Sequence, residues 1–172
     1  AGDNPTCDCY YENVARTHRK NTLQKRVTYG EGVFVGYRGY ERSGVKPLYP
    51  FGYGLSYSTF EYGGLEARQS GDSAIEVSCR IRNTSDREGD EVVQLYVTDK
   101  VASTVRPSKQ LGGFRRIRLA PGEQRQVSFT LGDEALSLID PQGRRVVEKG
   151  DFVIAVGASS EDIRLQTTVT LK

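Results

Sequence analysis

At 172 residues, with 37% hydrophobic and 27% charged side chains, the chain is long enough to bury a core without metals or a disulfide lattice. No apolar run approaches the roughly 18 residues of a membrane span, and the first residues do not read as a secretory leader. A formal net charge of +2, with no basic face interleaved with aromatics, argues against nucleic acid as a partner.

The opening residues are polar and contain Pro5, as if cut from something longer. Cys7 and Cys9 form a lone C-x-C, which lacks the second ligand pair of a zinc site. With Cys79 the cysteines number three, an odd count that makes no disulfide framework. The compartment, secreted, periplasmic or cytoplasmic, stays open. Arg16, Arg19, Lys20, Lys25 and Arg26 cluster around His18 and read as an exposed, protease-sensitive loop. Glycine and tyrosine then crowd together, in Tyr29-Gly30-Glu31-Gly32, Gly36-Tyr37-Arg38-Gly39-Tyr40 and Pro50-Phe51-Gly52-Tyr53-Gly54-Leu55. Such density disfavours long helices and favours extended segments joined by tight turns. Residues 1–61 therefore read as a connector with no periodic face of its own, one that needs a partner to pack against.

From Tyr62 onward the pattern is that of strands. Ile75, Val77, Cys79 and Ile81 alternate with Glu76, Ser78, Arg80 and Arg82, a period of two with one face buried. A polar turn over 83–89 leads to Val92-Val93-Gln94-Leu95-Tyr96-Val97, a more continuously apolar run suited to the centre of a sandwich. Phe114 to Leu119 follows, stopped by Pro121-Gly122, and then Val127, Phe129 and Leu131 alternate with polar residues. Asp133 to Ser137 reads as one helical turn, and Leu136 to Ile139 runs into the turn Asp140-Pro141-Gln142-Gly143. Phe152, Ile154 and Val156 alternate, as do Ile163, Leu165, Thr167, Val169 and Leu171. Short strands separated by turn signals predict an all-β, two-sheet sandwich over 62–172. Asn83-Thr84-Ser85 also fits an N-glycosylation acceptor, although turn residues account for it as well.

Two phrases carry a resemblance. Tyr29 to Arg38 with Pro47-Leu48-Tyr49-Pro50-Phe51-Gly52-Tyr53-Gly54-Leu55-Ser56-Tyr57-Ser58-Thr59-Phe60 is similar to the C-terminal region of family 3 glycoside hydrolases of the β-glucosidase type. Gly89 to Val97, Arg106-Pro107-Ser108-Lys109-Gln110-Leu111 and Leu119-Ala120-Pro121-Gly122-Glu123 resemble the same family's last domain. The resemblance runs from Tyr29 to the C-terminus, and more loosely from Asp3-Asn4-Pro5, with the Arg/Lys-rich piece departing from the pattern. It implies a fibronectin III/immunoglobulin-like sandwich of about seven strands, preceded by an extended Gly/Tyr-rich segment from the end of an α/β domain.

A retaining glycosidase needs two carboxyl groups about 5 Å apart. The resemblance places the nucleophile in a Ser-Asp-Trp context of an N-terminal barrel, and the acid/base Glu upstream on the α/β domain. This chain has no Trp, and Ser85-Asp86-Arg87, the nearest imitation, falls in a turn. No catalytic residue is assigned, and neither metal nor cofactor is expected. A Ser-His-Asp triad would have to use His18, the only histidine.

The tyrosine-rich segment could stack on sugars, but packing between domains accounts for it. The family's loops near the substrate entrance keep Phe51 and Tyr53 as candidate contacts there. The reading is a structural portion that braces the barrel and α/β domains of a β-glucosidase, in cis or as a separate chain, with the β-glucoside met only by the complete enzyme. A stand-alone carbohydrate- or protein-binding sandwich and a β-xylosidase parent are the alternatives.

Overall fold

The computed structural model describes residues 30–172; Cys7, Cys9, His18 and the Arg/Lys cluster lie outside the described residues. Contacts divide the chain at Pro50/Phe51 into two units. In the first, the Gly/Tyr segment departs from the expected extended form and makes a helix, α1 (Tyr37–Ser43). The glycines bracket this helix more than they interrupt it. Gly44 at φ 68° takes the left-handed conformation that closes a helix. Only Gly39 lies inside, at a cost of about 1 kcal/mol. The Arg42 guanidinium sits 3.9 Å from the centre of the Phe34 ring, a cation–π contact that steadies the last turn.

The second unit contains strands β1 (Phe60–Ser70), β2 (Ala74–Asn83), β3 (Gly89–Asp99), β4 (Gln110–Leu119) and β5 (Gln124–Leu131), then the short helix α2 (Asp133–Leu136). After it come β6 (Leu138–Ile139), β7 (Arg145–Val146), β8 (Gly150–Gly157) and β9 (Ile163–Leu171). Two antiparallel sheets result, one in the order β1-β2-β5 and one in the order β4-β3-β8-β9, with β6 and β7 as a separate hairpin. The chain changes sheets between β2 and β3, between β4 and β5, and again between β5 and β8. This is the expected sandwich, with seven strands in its two main sheets.

Period-two alternation builds the core. Ile75, Val77 and Cys79 of β2 stand beside Leu131, Phe129 and Val127 of β5 in register. They face Val93, Leu95, Val97, Phe152, Ile154 and Val156 of the other sheet, all in one buried apolar cluster. Burying each such aliphatic or aromatic side chain is worth about 1.5–3 kcal/mol. Cys79 is a free, fully buried thiol, and burial pushes its pKa up to about 11.

Five of the six aromatics on the sandwich strands, Phe60, Tyr62, Tyr96, Phe129 and Phe152, are at least partly buried, but Phe114 is 65% exposed. The reason is register: Phe114 pairs with Gln94 and so shares the side of the sheet that points away from the core. Outside the core, Arg106 ties the α2–β6 crossover to β3. Its guanidinium donates to Asp99 Oδ2 (3.1 Å) and to the Leu136 and Ser137 carbonyls (3.1 and 3.2 Å).

Both partners of the Arg106–Asp99 pair are nearly shielded from water. Arg106→Ala should therefore lower the unfolding free energy by about 3–5 kcal/mol in urea titrations, because a buried carboxylate loses its counter-charge. Arg68→Ala, which breaks an exposed pair with Glu76, should leave the midpoint nearly unchanged. Equal effects would contradict this account.

Candidate functional site

From Val93 to Val97 strand β3 is buried on both sides. Val93, Leu95 and Val97 face the core, while Gln94 and Tyr96 point outward and are nonetheless only 3% and 0% exposed. A buried amide must find partners or cost stability. Gln94 Nε2 donates to the Gly52 carbonyl (3.0 Å) and the Ala158 carbonyl (2.6 Å), and the Tyr96 hydroxyl donates to Gln94 Oε1 (2.7 Å). The Ser160 amide donates to the Phe51 carbonyl (2.9 Å). The turn at Phe51-Gly52 is thus latched to β3 and to the β8–β9 connection.

Gly52 has φ 80°, and a methyl group there would overlap the Gln94 amide. Only glycine permits so close an approach. The other end of the same strap is fixed too: Ser58 Oγ donates to the Arg87 carbonyl (3.1 Å), Thr59 N to Ser85 Oγ (2.6 Å), and Thr84 N to the Thr59 carbonyl (2.9 Å). Between the two anchors, Leu55 and Tyr57 are almost fully exposed. Phe51 and Tyr53, the residues singled out in the sequence, flank the latched glycine and are about half exposed. Gln94 escaped notice there. Its only signal was a single amide interrupting an otherwise apolar strand.

Asn83 is placed where a glycan cannot be. The residue is fully buried, and its Nδ2 donates to the Arg87 and Leu119 carbonyls (2.8 and 3.0 Å). Its Oδ1 accepts from Ser85 N (2.9 Å). Both amide hydrogens are committed, so the acceptor reading is corrected: Asn83 is a structural tie at the β2–β3 turn.

Several carboxylates are matched with arginine. Asp90 accepts from Arg116 Nε and Arg118 Nε at 2.8 Å each, and these bonds hold its pKa below the usual range. Glu76 is lowered by hydrogen bonds from Arg68 and Ser70, and Asp140 by the Arg144 amide. None is poised to donate a proton. Glu91 differs: burial raises its pKa, a feature shared with catalytic acids. It accepts from the Tyr62 hydroxyl (3.0 Å), and Arg164 lies 4.6 Å from the Tyr62 ring. Glu91 shares the inward side of β3 with Val93, which closes it to a sugar. The cluster is structural. Ser85-Asp86-Arg87 lies in the turn after β2, with Asp86 paired to Arg87. Among the described residues no group of three or more His, Cys, Asp or Glu side chains could hold a metal ion, and no helix is long and apolar enough to cross a membrane.

The fibronectin type III-like domain family matches residues 91–160. The chain is 45% identical over 148 residues to thermostable beta-glucosidase B of Acetivibrio thermocellus, covering 84% of this chain and 20% of that protein. A beta-xylosidase of Formosa agariphila is 46% identical over 137 residues, covering 77% of this chain and 19% of that protein. Among solved structures, the GH3 beta-glucosidase of Bifidobacterium adolescentis superposes with a TM-score of 0.87 at 36% identity, covering 99% of this chain and 24% of that one. The chain spans about one fifth of the length of the curated relatives it matches.

Two outcomes follow from this geometry. Gly52→Ala should cost about 1–3 kcal/mol in urea unfolding, from a strained φ and from crowding against Gln94. The Ser160 amide should then exchange faster with deuterium; unchanged exchange would mean that the latch does not hold. The second concerns pH. The folded-state pKa values of Glu91 and Tyr62 are both raised, Tyr62 chiefly by burial and then by the Glu91 charge. The stability each contributes is whole below its unfolded pKa, about 4.3 for Glu and 10 for Tyr. It falls as pH climbs through the folded value. Glu91→Gln should flatten the acidic window of a stability–pH curve and Tyr62→Phe the alkaline one.

Proposed function

Because the chain is the C-terminal, fibronectin type III-like part of a β-glucosidase-type member of glycoside hydrolase family 3, we propose that it braces that enzyme's catalytic domains and is not catalytic alone. Residues 62–172 are the bracing sandwich, and residues 1–61 are the tail of the α/β domain and the linker. The parent reaction is retaining hydrolysis of terminal non-reducing β-D-glucosyl residues, which needs two carboxyl groups about 5 Å apart. The barrel and α/β domains supply them, in cis or as a separate chain.

The observation that carries this reading is the double anchoring of the strap. Gln94 holds Gly52 and Arg87 holds Ser58, so the strap from Phe51 to Thr59 is pinned to the sandwich at both ends. A connector meant only to tether would need no such anchors. The latch also presents Phe51 and Tyr53 in a fixed pose, consistent with contacts at the substrate entrance of the complete enzyme. A stand-alone carbohydrate-binding module is disfavoured, since Phe114 is the one strongly exposed aromatic on the described strands and a single ring makes no row for a glycan. The similarity to a beta-xylosidase at 46% identity keeps a β-xylosidase parent as the second reading.

The test is turnover of aryl β-glucoside and aryl β-xyloside. The purified 172-residue chain should release no aryl alcohol, while the complete parent polypeptide should. Hydrolysis by the isolated chain, free of contaminants, would overturn the proposal.

A further inference from the structure

The two outward faces of the sandwich are built differently. On the three-stranded sheet, Glu76, Ser78 and Arg80 of β2 alternate outward beside Thr130, Ser128 and Gln126 of β5. This is a solvated face. The outward face of the four-stranded sheet is not. Gln94, Tyr96 and Ala155 point away from the core there and are still buried. Beside them Phe114 is 65% exposed and Val92 is 38% exposed, and the latched turn adds Phe51 and Tyr53, each about half exposed. The Asp90–Arg116–Arg118 ion-pair cluster borders this apolar area, because Arg116 pairs with Val92 and Arg118 with Asp90 across β3 and β4. An apolar centre with a charged, internally satisfied border is the anatomy of a protein–protein interface, and an exposed apolar patch of this kind marks an interaction site.

We propose that this face, centred on Phe114 and Val92 and extended by the Phe51–Tyr53 turn, is the surface on which the rest of the parent polypeptide docks, and that Gln94 is the positioning residue that completes it. The inference rests on the reading that the chain is one part of a family 3 enzyme. The occupant follows from length and chemistry. Relatives are about five times longer than the stretch they share with this chain, so a large protein surface accompanies the module in them. A sugar would want hydroxyl-matching groups and a flat ring platform, whereas Val92 and Phe114 offer only apolar contact. Gln94 acts at one remove. By holding Gly52 it fixes the backbone of the turn that carries Phe51 and Tyr53, so the patch exists before the partner arrives and less ordering is lost on docking.

The test compares the 172-residue chain with the complete parent polypeptide by hydroxyl-radical footprinting. Phe114 should be oxidised roughly tenfold more slowly in the complete polypeptide, as expected for the desolvated centre of an interface, and Tyr53, at its rim, should be protected to a smaller degree. Phe114→Asp and Val92→Asp should lower the thermal midpoint of the complete enzyme and leave the urea midpoint of the isolated chain unchanged. Gln126→Asp and Ser128→Asp, on the opposite face, should change neither. Gln94→Ala should restore fast oxidation of Tyr53 in the complete polypeptide more than of Phe114. Equal Phe114 reactivity in the two proteins, in a parent that hydrolyses aryl glycosides, would overturn the docking inference and leave the functional reading standing. A parent with no glycosidase activity would overturn that reading whatever the footprint. Protection that grows with concentration in the isolated chain would assign the face to a second copy and overturn the proposal.

Discussion

The Gln94 amide meets three polar groups, the Gly52 and Ala158 carbonyls and the Tyr96 hydroxyl, in a place where water does not reach. In that setting each hydrogen bond is strengthened, and each missing one would be costly. This small network decides how the strap enters the sandwich. It also explains why β3 tolerates an amide and a phenol on the side of a sheet that would ordinarily be wet. Strand β3 therefore works twice, with aliphatic side chains holding two sheets together and polar ones receiving the incoming chain.

The remaining polar groups repeat this economy at other junctions. Asn83 closes the β2–β3 turn, Arg106 fastens the α2–β6 crossover, and the Tyr62–Glu91–Arg164 set lies where β1 and β3 approach one another across the sandwich. The first two sit where the chain passes from one element to the next and backbone carbonyls lack ladder partners, while the third joins strands of the two sheets. A long side chain reaching several carbonyls satisfies them without an extra strand. Asn83 and Arg106 thus serve connections, while the inward side of the sheets is left mainly to aliphatic packing.

Much of this was legible in the residues. Strict alternation in β2, β5, β8 and β9 predicted both the strands and their inward faces, because one wet side and one dry side leave a period-two imprint. Helix α1 was not legible, since its glycines serve as boundaries and composition alone cannot separate a boundary from a breaker. The exposure of Phe114 was not legible, because an aromatic within a strand ordinarily reads as core and only its pairing opposite Gln94 reveals which way it points. The Asn83 acceptor pattern was present in the sequence, but burial and two occupied hydrogens exclude a glycan. Gln94 itself gives a faint local signal. Its meaning depends on Gly52, more than forty positions away, a distance over which no spacing rule operates.

Cys79 lies at the centre of β2, packed among aliphatic neighbours, with its thiol pushed up to about 11. At neutral pH such a group is almost wholly protonated, and the thiolate is the species that attacks disulfides or peroxides. The interior is thus chemically quiet: two sheets joined by packing where many extracellular sandwiches place a covalent bridge. A scaffold held this way keeps its shape in reducing or oxidising surroundings alike, and neither glutathione nor oxygen gains a handle on its centre.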